Sequence, residues 1–385
     1  MLFIKQAVLC FISLLHLSRR FAKWWIPKSH ILKRVGEIYK RTSMKDLLRI
    51  RVKAFALIAI LLLSVVGGLS AKKIAIIDAG SSGSRLYVYD IDDNTKVLTV
   101  LYPIGEVQKA ASKGDTLSRV TNNDVAVEAF MTGMTSKYNS GVSEEIDLYI
   151  LATAGMRLES DNIYESILKK KTYGCFKLIN AMTISGRYEG LYAWIAANYR
   201  NGKLKWDKGS WSFTDSYGIL EIGGASMQIA FIAADGHQDK CIPHNTFTQI
   251  YSKSYLGGGA DLVFENNSPI RKNDFGVTLD NIEDILPANT EFIGLGTPIT
   301  IASREANGLS CTDLRAYAGI ISKPDSKENH HPKINAEYMA YVFESSKVDR
   351  KIKLAGNMSD WTEGAALDIV INNMPPEPFN YGNPN

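Results

Sequence analysis

The sequence predicts an α/β fold made by duplication of one unit, and three observations predict it. Two Gly/Ser-rich loops, Asp78-Ala79-Gly80-Ser81-Ser82-Gly83-Ser84-Arg85 and Glu221-Ile222-Gly223-Gly224-Ala225-Ser226, stand in the two halves of the 385-residue chain. Each follows a short apolar run (74–77, 218–220) and precedes an alternating one (86–90, 227–231), which is the pattern of a β-hairpin with a tight turn. The segments that follow each hairpin alternate between strand and helix patterns. Strands are expected at 74–78, 85–91 and 97–103 as a meander, then a helix at 121–139, a strand at 147–152, a helix at 161–171 and a strand at 177–183. A helix bearing Glu189 comes next. The second half reopens with strands at 218–222 and 227–234 and a third after Cys241, followed by helices and a strand at 291–294.

The chemistry of the loops is specific. Glycine lets the backbone approach an anion closely, successive N–H groups form an anion-binding nest, and serine hydroxyls add donors. The acid at the mouth of each hairpin, Asp78 and Glu221, would repel a bare phosphate, so it makes sense with a divalent cation between them. Two facing acid-then-Gly/Ser hairpins point to a metal–nucleotide clamp between related halves.

Residues 44–71 have a basic start, an apolar stretch from Ala54 to Val66 and small residues after it, the shape of a secretory signal peptide beginning at Met44 and cut near Ser70 or Ala71. Its apolar core of ~13 residues is short against the ~20 that span a bilayer, so a retained anchor is the weaker reading. Residues 1–43 carry a second apolar patch and a basic aromatic run at 19–28. They read as an upstream extension, with translation starting at Met44; a membrane-surface segment is the other reading. Residues 1–71 hold 13 Lys/Arg and 2 Asp/Glu, so the remaining 314 residues carry 31 basic and 38 acidic side chains, a net −7 against +4 for the whole chain. The basic balance belongs to the leader. A nucleic-acid surface therefore has no support from composition. Of the four cysteines, Cys10 lies in the leader; one disulfide, Cys241 with Cys311, and a core thiol at Cys175 are expected of an exported protein. No spacing suggests zinc, and His330-His331 reads as a solvated loop.

Five segments in order resemble the blocks of the nucleoside triphosphate diphosphohydrolase, or apyrase, family: DAGSSGSR at 78–85, ATAGMRL at 152–158, SGRYEGLYAWIAANY at 185–199, EIGGAS at 221–226 and WTEGAA at 361–366. Together they cover residues 74–370. The resemblance implies an actin/hexokinase-like (ribonuclease H-like) duplication with the nucleotide between two lobes. Lobe I would comprise 72–185 plus 352–385 and lobe II 186–351, the late helix at 361–370 crossing back to lobe I. The low cysteine count is more like a bacterial exported member.

Site residues follow from the same resemblance. Glu189 is the expected base that activates water, and Thr153 matches a position close to that water. Asp78 and Glu221 would hold Ca²⁺ or Mg²⁺, largely through water; many relatives have Asp where this chain has Glu221. Ser81, Ser82, Gly83, Gly223, Gly224, Ala225 and Ser226 would cradle phosphates. Arg85 and Arg157 either neutralise phosphate or form structural ion pairs. Trp361 either stands near the metal or packs between lobes. For the base, Tyr255, Tyr338 and Tyr341 are the candidate stacking aromatics. The implied activity is that of a secreted or periplasmic apyrase acting on nucleoside tri- and diphosphates, expected to be a monomer that meets a membrane only through an uncleaved leader. An exopolyphosphatase or alarmone phosphatase of the same fold, and a non-catalytic nucleotide-binding switch of the actin type, are the competing readings.

Overall fold

Strong β-formers on both sides of the first Gly/Ser turn make β1 (Ala71–Gly80) and β2 (Gly83–Asp92), paired antiparallel from Ala71↔Asp92 to Gly80↔Gly83. Gly83 at the turn has a φ of +143°, open to glycine but strained for other residues. The computed structural model describes residues 71–102, 113–138, 144–159, 163–266, 279–296, 299, 311–320, 332–346, 348, 352–354, 360–373 and 376–380. The upstream segment 1–43, the signal peptide up to Ser70, and His330-His331 lie outside them. Strand β1 begins at Ala71, three residues before the expected start.

The chain continues through β3 (Leu98–Tyr102), β4 (Lys113–Gly114), α1 (Asp124–Thr135), β5 (Ile146–Ala152), the single turn α2 (Ala154–Arg157), α3 (Ile163–Lys169), β6 (Thr172–Tyr173) and β7 (Phe176–Thr183). Asn123 caps α1 by accepting from the Ala126 N–H at 2.9 Å, and Val127, Phe130, Met131 and Met134 on one stripe of that helix are buried. After α4 (Gly186–Arg200) come the hairpin β8 (Leu204–Asp207) and β9 (Ser210–Phe213), then β10 (Gly218–Ile222), β11 (Ser226–Ile232), β12 (Ile250–Leu256), α5 (Ala260–Asn266), β13 (Phe292–Leu295), α6 (Cys311–Ile320), α7 (Pro332–Ser346), β14 (Ile352–Leu354) and α8 (Trp361–Leu367), which runs into a π-helical turn at Asp368–Asn372.

Duplication is visible in the strand order. The first sheet runs β3-β2-β1-β5-β7-β6 with β4 on β2, and the second runs β12-β11-β10-β13-β14. In both, the opening strand pairs antiparallel with its hairpin partner and parallel with the strand on its other side. Asp78 and Glu221 thus occupy the ends of equivalent strands. Strand β14 adds to β13 of the second sheet, so residues 352–354 do not join the first lobe as the expected boundary had it. Residues 376–380 do return to the first sheet: Ser185 N–H donates to the Glu377 carbonyl, Phe379 N–H donates to the Thr183 carbonyl, and Ile184 bridges Pro378.

Helix α4 is buried nearly all round, with 12 of its 15 residues inside, because it lies between three neighbours. Gly186 and Gly190, one turn apart, let it approach β12: a Cβ at either would come within 2.5 Å of the Ser254 or Ser252 side chain. On another side, Gly364 brings the α8 backbone onto the Tyr192 carbonyl. Leu191, Tyr192, Trp194 and Ile195 fill the core shared with Ile74, Ile76, Tyr87 and Tyr89 of the first sheet and Ile219 of the second.

The β8–β9 hairpin is absent from the expected elements. Its signal was Leu204 and Trp206 alternating into Trp211 and Phe213 around Lys208-Gly209, both of which have positive φ, as a two-residue hairpin turn requires. Cys241 is a free thiol within 3.6 Å of the His237 carbonyl, so the expected bridge to Cys311 is not formed. Cys175 is free as expected, half-buried against the first core.

Candidate active site

The first turn places Asp78 opposite Arg85 across β1 and β2, with the guanidinium 3.5 Å from the carboxylate. Arg85 is therefore tied to an acid of its own hairpin. Asp78 is buried, and burial pushes its carboxyl up to about 8 despite Arg85; Asp360 and Glu189 push it the same way. Ser81 and Ser82 form the tip between Gly80 and Gly83.

The second turn meets the first. A Cβ on Gly224 would lie 2.8 Å from Ser81 Oγ, and one on Gly155 would lie 2.8 Å from Ser81 Cα, so the first tip is wedged between the second loop and α2. The Gly223 N–H donates to the Ser226 carbonyl at 3.0 Å, closing the loop. From behind, the N–H groups of Gly257, Ala260 and Asp261 donate to the carbonyls of Ala225, Gly223 and Gly224, each at 2.9 Å. The Gly/Ser loop is thereby fixed as a rigid turn. Glu221 just before it is opposite Gln228. Burial holds its carboxyl well above the ordinary range, reinforced by Glu189, Asp360 and Asp78, and its Oε2 is buried with no partner among the described residues.

Glu189 reaches the same space from the first turn of α4, whose N-cap Ser185 accepts from the Tyr188 N–H. It is buried, and its Oε2 accepts from Arg157 Nη2 at 2.5 Å and from Gln228 Nε2 at 3.0 Å. Arg157 also donates from Nε to the Ile184 carbonyl, so its guanidinium is held between that carbonyl and Glu189. Thr153 opens α2; its N–H donates to the Ala79 carbonyl at 3.2 Å, just before the first turn, and the residue is buried. Ser226 is buried beside Gln228, whose Nε2 donates to Ser226 Oγ at 2.6 Å.

Two members were not read from the sequence. Gln228 holds Glu189, Ser226 and Ser254 together, yet in the sequence it is one polar residue in an alternating strand. Asp360 caps α8, and the Tyr87 hydroxyl donates to its Oδ2 at 2.7 Å. Its position just before the WTEGAA segment was the available signal. Trp361, next to it, is buried with its ring stacked on Tyr192 at 6.4 Å, between α8 and α4.

The expected base-stacking tyrosines lie elsewhere. Tyr338 is fully buried among the second sheet's core residues, its hydroxyl donating to the Gly258 carbonyl at 2.7 Å, and it offers no face to a ligand. Tyr255 is buried in the same cluster with its hydroxyl accepting from the Asp280 N–H. Tyr341 is packed against that cluster as well. These aromatics fill the seam between β12 and α7.

Residues 70–269 match the model of the GDA1/CD39 (nucleoside phosphatase) family. Among named proteins, the chain is 30% identical over 224 residues to probable apyrase 3 of Arabidopsis thaliana, covering 54% of this chain and 44% of that protein. It is 28% identical over 203 residues to ectonucleoside triphosphate diphosphohydrolase 1 of Bos taurus, covering 47% and 38%, and 31% identical over 216 residues to nucleoside-triphosphatase ntp-1 of Caenorhabditis elegans, covering 48% and 38%. The matches thus span less than half the length of these relatives. A solved structure of nucleoside triphosphate hydrolases from Neospora caninum superposes with a TM-score of 0.53 at 13% identity, covering 84% of this chain and 97% of that one, and shares the actin/hexokinase-like fold. With the family model spanning more than half of its residues, the chain belongs to the GDA1/CD39 (nucleoside phosphatase) family.

Proposed function

We propose that the chain is an exported, divalent-metal-dependent apyrase that removes terminal phosphates from nucleoside tri- and diphosphates. The observation that carries this reading is the meeting of the two Gly/Ser turns at Ser81 and Gly224, with Asp78 and Glu189 buried around them and Glu221 half-buried with its Oε2 inside. Each acid alone is an electrostatic liability. Asp78 and Glu221 are held toward their acid forms by burial and by the neighbouring acids Asp360 and Glu189, and the Glu221 Oε2 has no partner among the described residues. An all-oxygen carboxylate set suits Ca²⁺ or Mg²⁺, so the residues fit such an ion, with Asp78 and Glu221 holding it through water. Bound there, the ion would supply neutralisation of the phosphate charge.

The chain's own residues have the remaining work. Ser81, Ser82, Gly83, Gly224, Ala225 and Ser226 donate N–H and hydroxyl groups to the terminal phosphate, with Gly223, its N–H bonded to the Ser226 carbonyl, shaping the turn. Glu189 orients the attacking water and takes its proton, held by Arg157 and Gln228 so that its carboxylate cannot swing away. Thr153 and Ser226 border the same space from opposite turns. A phosphate-release assay with ATP, ADP and polyphosphate, with and without Ca²⁺ or Mg²⁺, tests the reading. Release from polyphosphate alone, or undiminished release in chelator, would overturn it.

A further inference from the structure

We propose that Asp360 is a third carboxylate of the cation site, holding the water shell of the bound divalent ion from the α8 side while it caps that helix. The inference rests on the reading of Asp78 and Glu221 as the acids that hold the ion. In β2, Arg85, Tyr87 and Tyr89 alternate onto one face, and in β1 Asp78 and Ile76 stand opposite Arg85 and Tyr87 on that same face. The Tyr87 hydroxyl fixes Asp360 Oδ2 at 2.7 Å, so this carboxylate stands over the sheet face that carries Asp78, two residues along the strand. Two residues of strand are ~7 Å. That spacing leaves room for an ion with its waters.

Capping alone does not account for the residue. Both capping bonds, from the Thr362 N–H at 3.1 Å and the Thr362 hydroxyl at 2.8 Å, go to Oδ1. Ser, Thr or Asn would serve that purpose without a charge. A carboxylate here instead puts a further negative charge over a sheet face that already carries Asp78. Asp78, Glu189, Glu221 and Asp360 stand around the space with Asp261 beside Gly224, and the cations paired with Asp78 and Glu189 are Arg85 and Arg157, so the site carries an excess of negative charge. The unpartnered Glu221 Oε2 is an acceptor that a water of the bound ion would satisfy.

The test compares the wild type, Asp360→Asn and Asp78→Asn after chelator treatment, by calorimetric titration with Ca²⁺ and by the rise of Tm on adding Ca²⁺, with and without the non-hydrolysable ATP analogue AMPPNP. Asn keeps the cap and a partner for Tyr87 but removes the charge. The expected result for Asp360→Asn is Ca²⁺ affinity lower by about tenfold or more, as for other groups that act through a metal's outer shell, with a metal-free Tm equal to or above the wild type. If Asp360→Asn binds Ca²⁺ like the wild type while Asp78→Asn does not, Asp360 is only a helix cap and the proposal fails, with the cation reading intact. If neither substitution changes Ca²⁺ binding, or the wild type binds none in either condition, the cation reading fails and takes the proposal with it.

Discussion

Gly364→Ala should unseat α8 and the site residues it carries. A Cβ at this position would lie 1.9 Å from the Tyr192 carbonyl oxygen, 2.7 Å from its carbon and 2.9 Å from Cα, all backbone atoms of a buried helix. Restoring an ordinary contact of 3.4 Å needs a shift of about 1.5 Å between two helices. Overpacking of this kind costs ~1–3 kcal/mol. The same shift strains three links at the start of α8: Tyr87 to Asp360 at 2.7 Å, Tyr89 to Thr362 at 2.6 Å, and the two bonds from Arg200 to Glu363 at 2.6 and 2.8 Å. A buried polar group left unpaired costs ~1–3 kcal/mol, so a total of about 3–5 kcal/mol is expected. At ~1–2 °C per kcal/mol for a chain of 385 residues, Tm should fall by roughly 5 °C. Thermal unfolding followed by near-ultraviolet circular dichroism reads both Tm and the Tyr192–Trp361 stack. An alanine variant that melts within about 2 °C of the wild type with its aromatic signal intact would refute the close-approach argument.

Three further outcomes are expected. Glu189→Gln keeps the shape but loses the base, so turnover should drop by ~10²–10⁴-fold with AMPPNP binding retained; half-normal turnover would assign the base elsewhere. In metal-free protein, Asp78 titrates at about 8 when folded against 3.8 for the ordinary group, so the folded state holds the proton more tightly between those values. Stability should therefore fall as pH rises from about 4 to about 8, by at most ~1.4 kcal/mol per pH unit for one such group, and Asp78→Asn should flatten the decline; denaturant titrations in chelator that show stability rising over this window would contradict the buried acid. Finally, Asp78→Asn and Glu221→Gln should each raise the Ca²⁺ or Mg²⁺ concentration for half-maximal rate, and the double variant should lose less than the sum of the two because one ion is shared. Additive losses in a metal titration would separate the two acids.

The strands of the two Gly/Ser hairpins were legible because their signals are local. Glycine-rich turns between alternating apolar runs placed β1, β2, β10 and β11 to within a few residues, and 218–222 was read without error. Helix ends were overestimated: 121–139 shrank to Asp124–Thr135, where Asn123 supplies the cap. Long-range partners were not legible. Asp360 meets Tyr87 across 273 residues, and nothing in the local pattern of either announces the other. Tyr338 was misread for a related reason, since an aromatic on a helix has the same spacing whether it faces a ligand or a core. Cys241 was paired by arithmetic, whereas its thiol lies against the His237 carbonyl of its own loop.

The position of α8 bears on how the protein reaches its folded state. Residues 360–367 are bonded to β2 and pressed against α4, yet nearly the whole second sheet lies between them in sequence. Contacts of such long sequence separation form late, because loop-closure entropy must be overcome before they stabilise anything. The first hairpin and α4 would exist in a nascent chain without the helix that closes the core over them. A chain shortened before residue 360 keeps Asp78, Glu189 and Glu221 in its sequence. It lacks the close approach at Gly364 that holds α4 in place, and a partially synthesised protein should accordingly be inactive until α8 has docked.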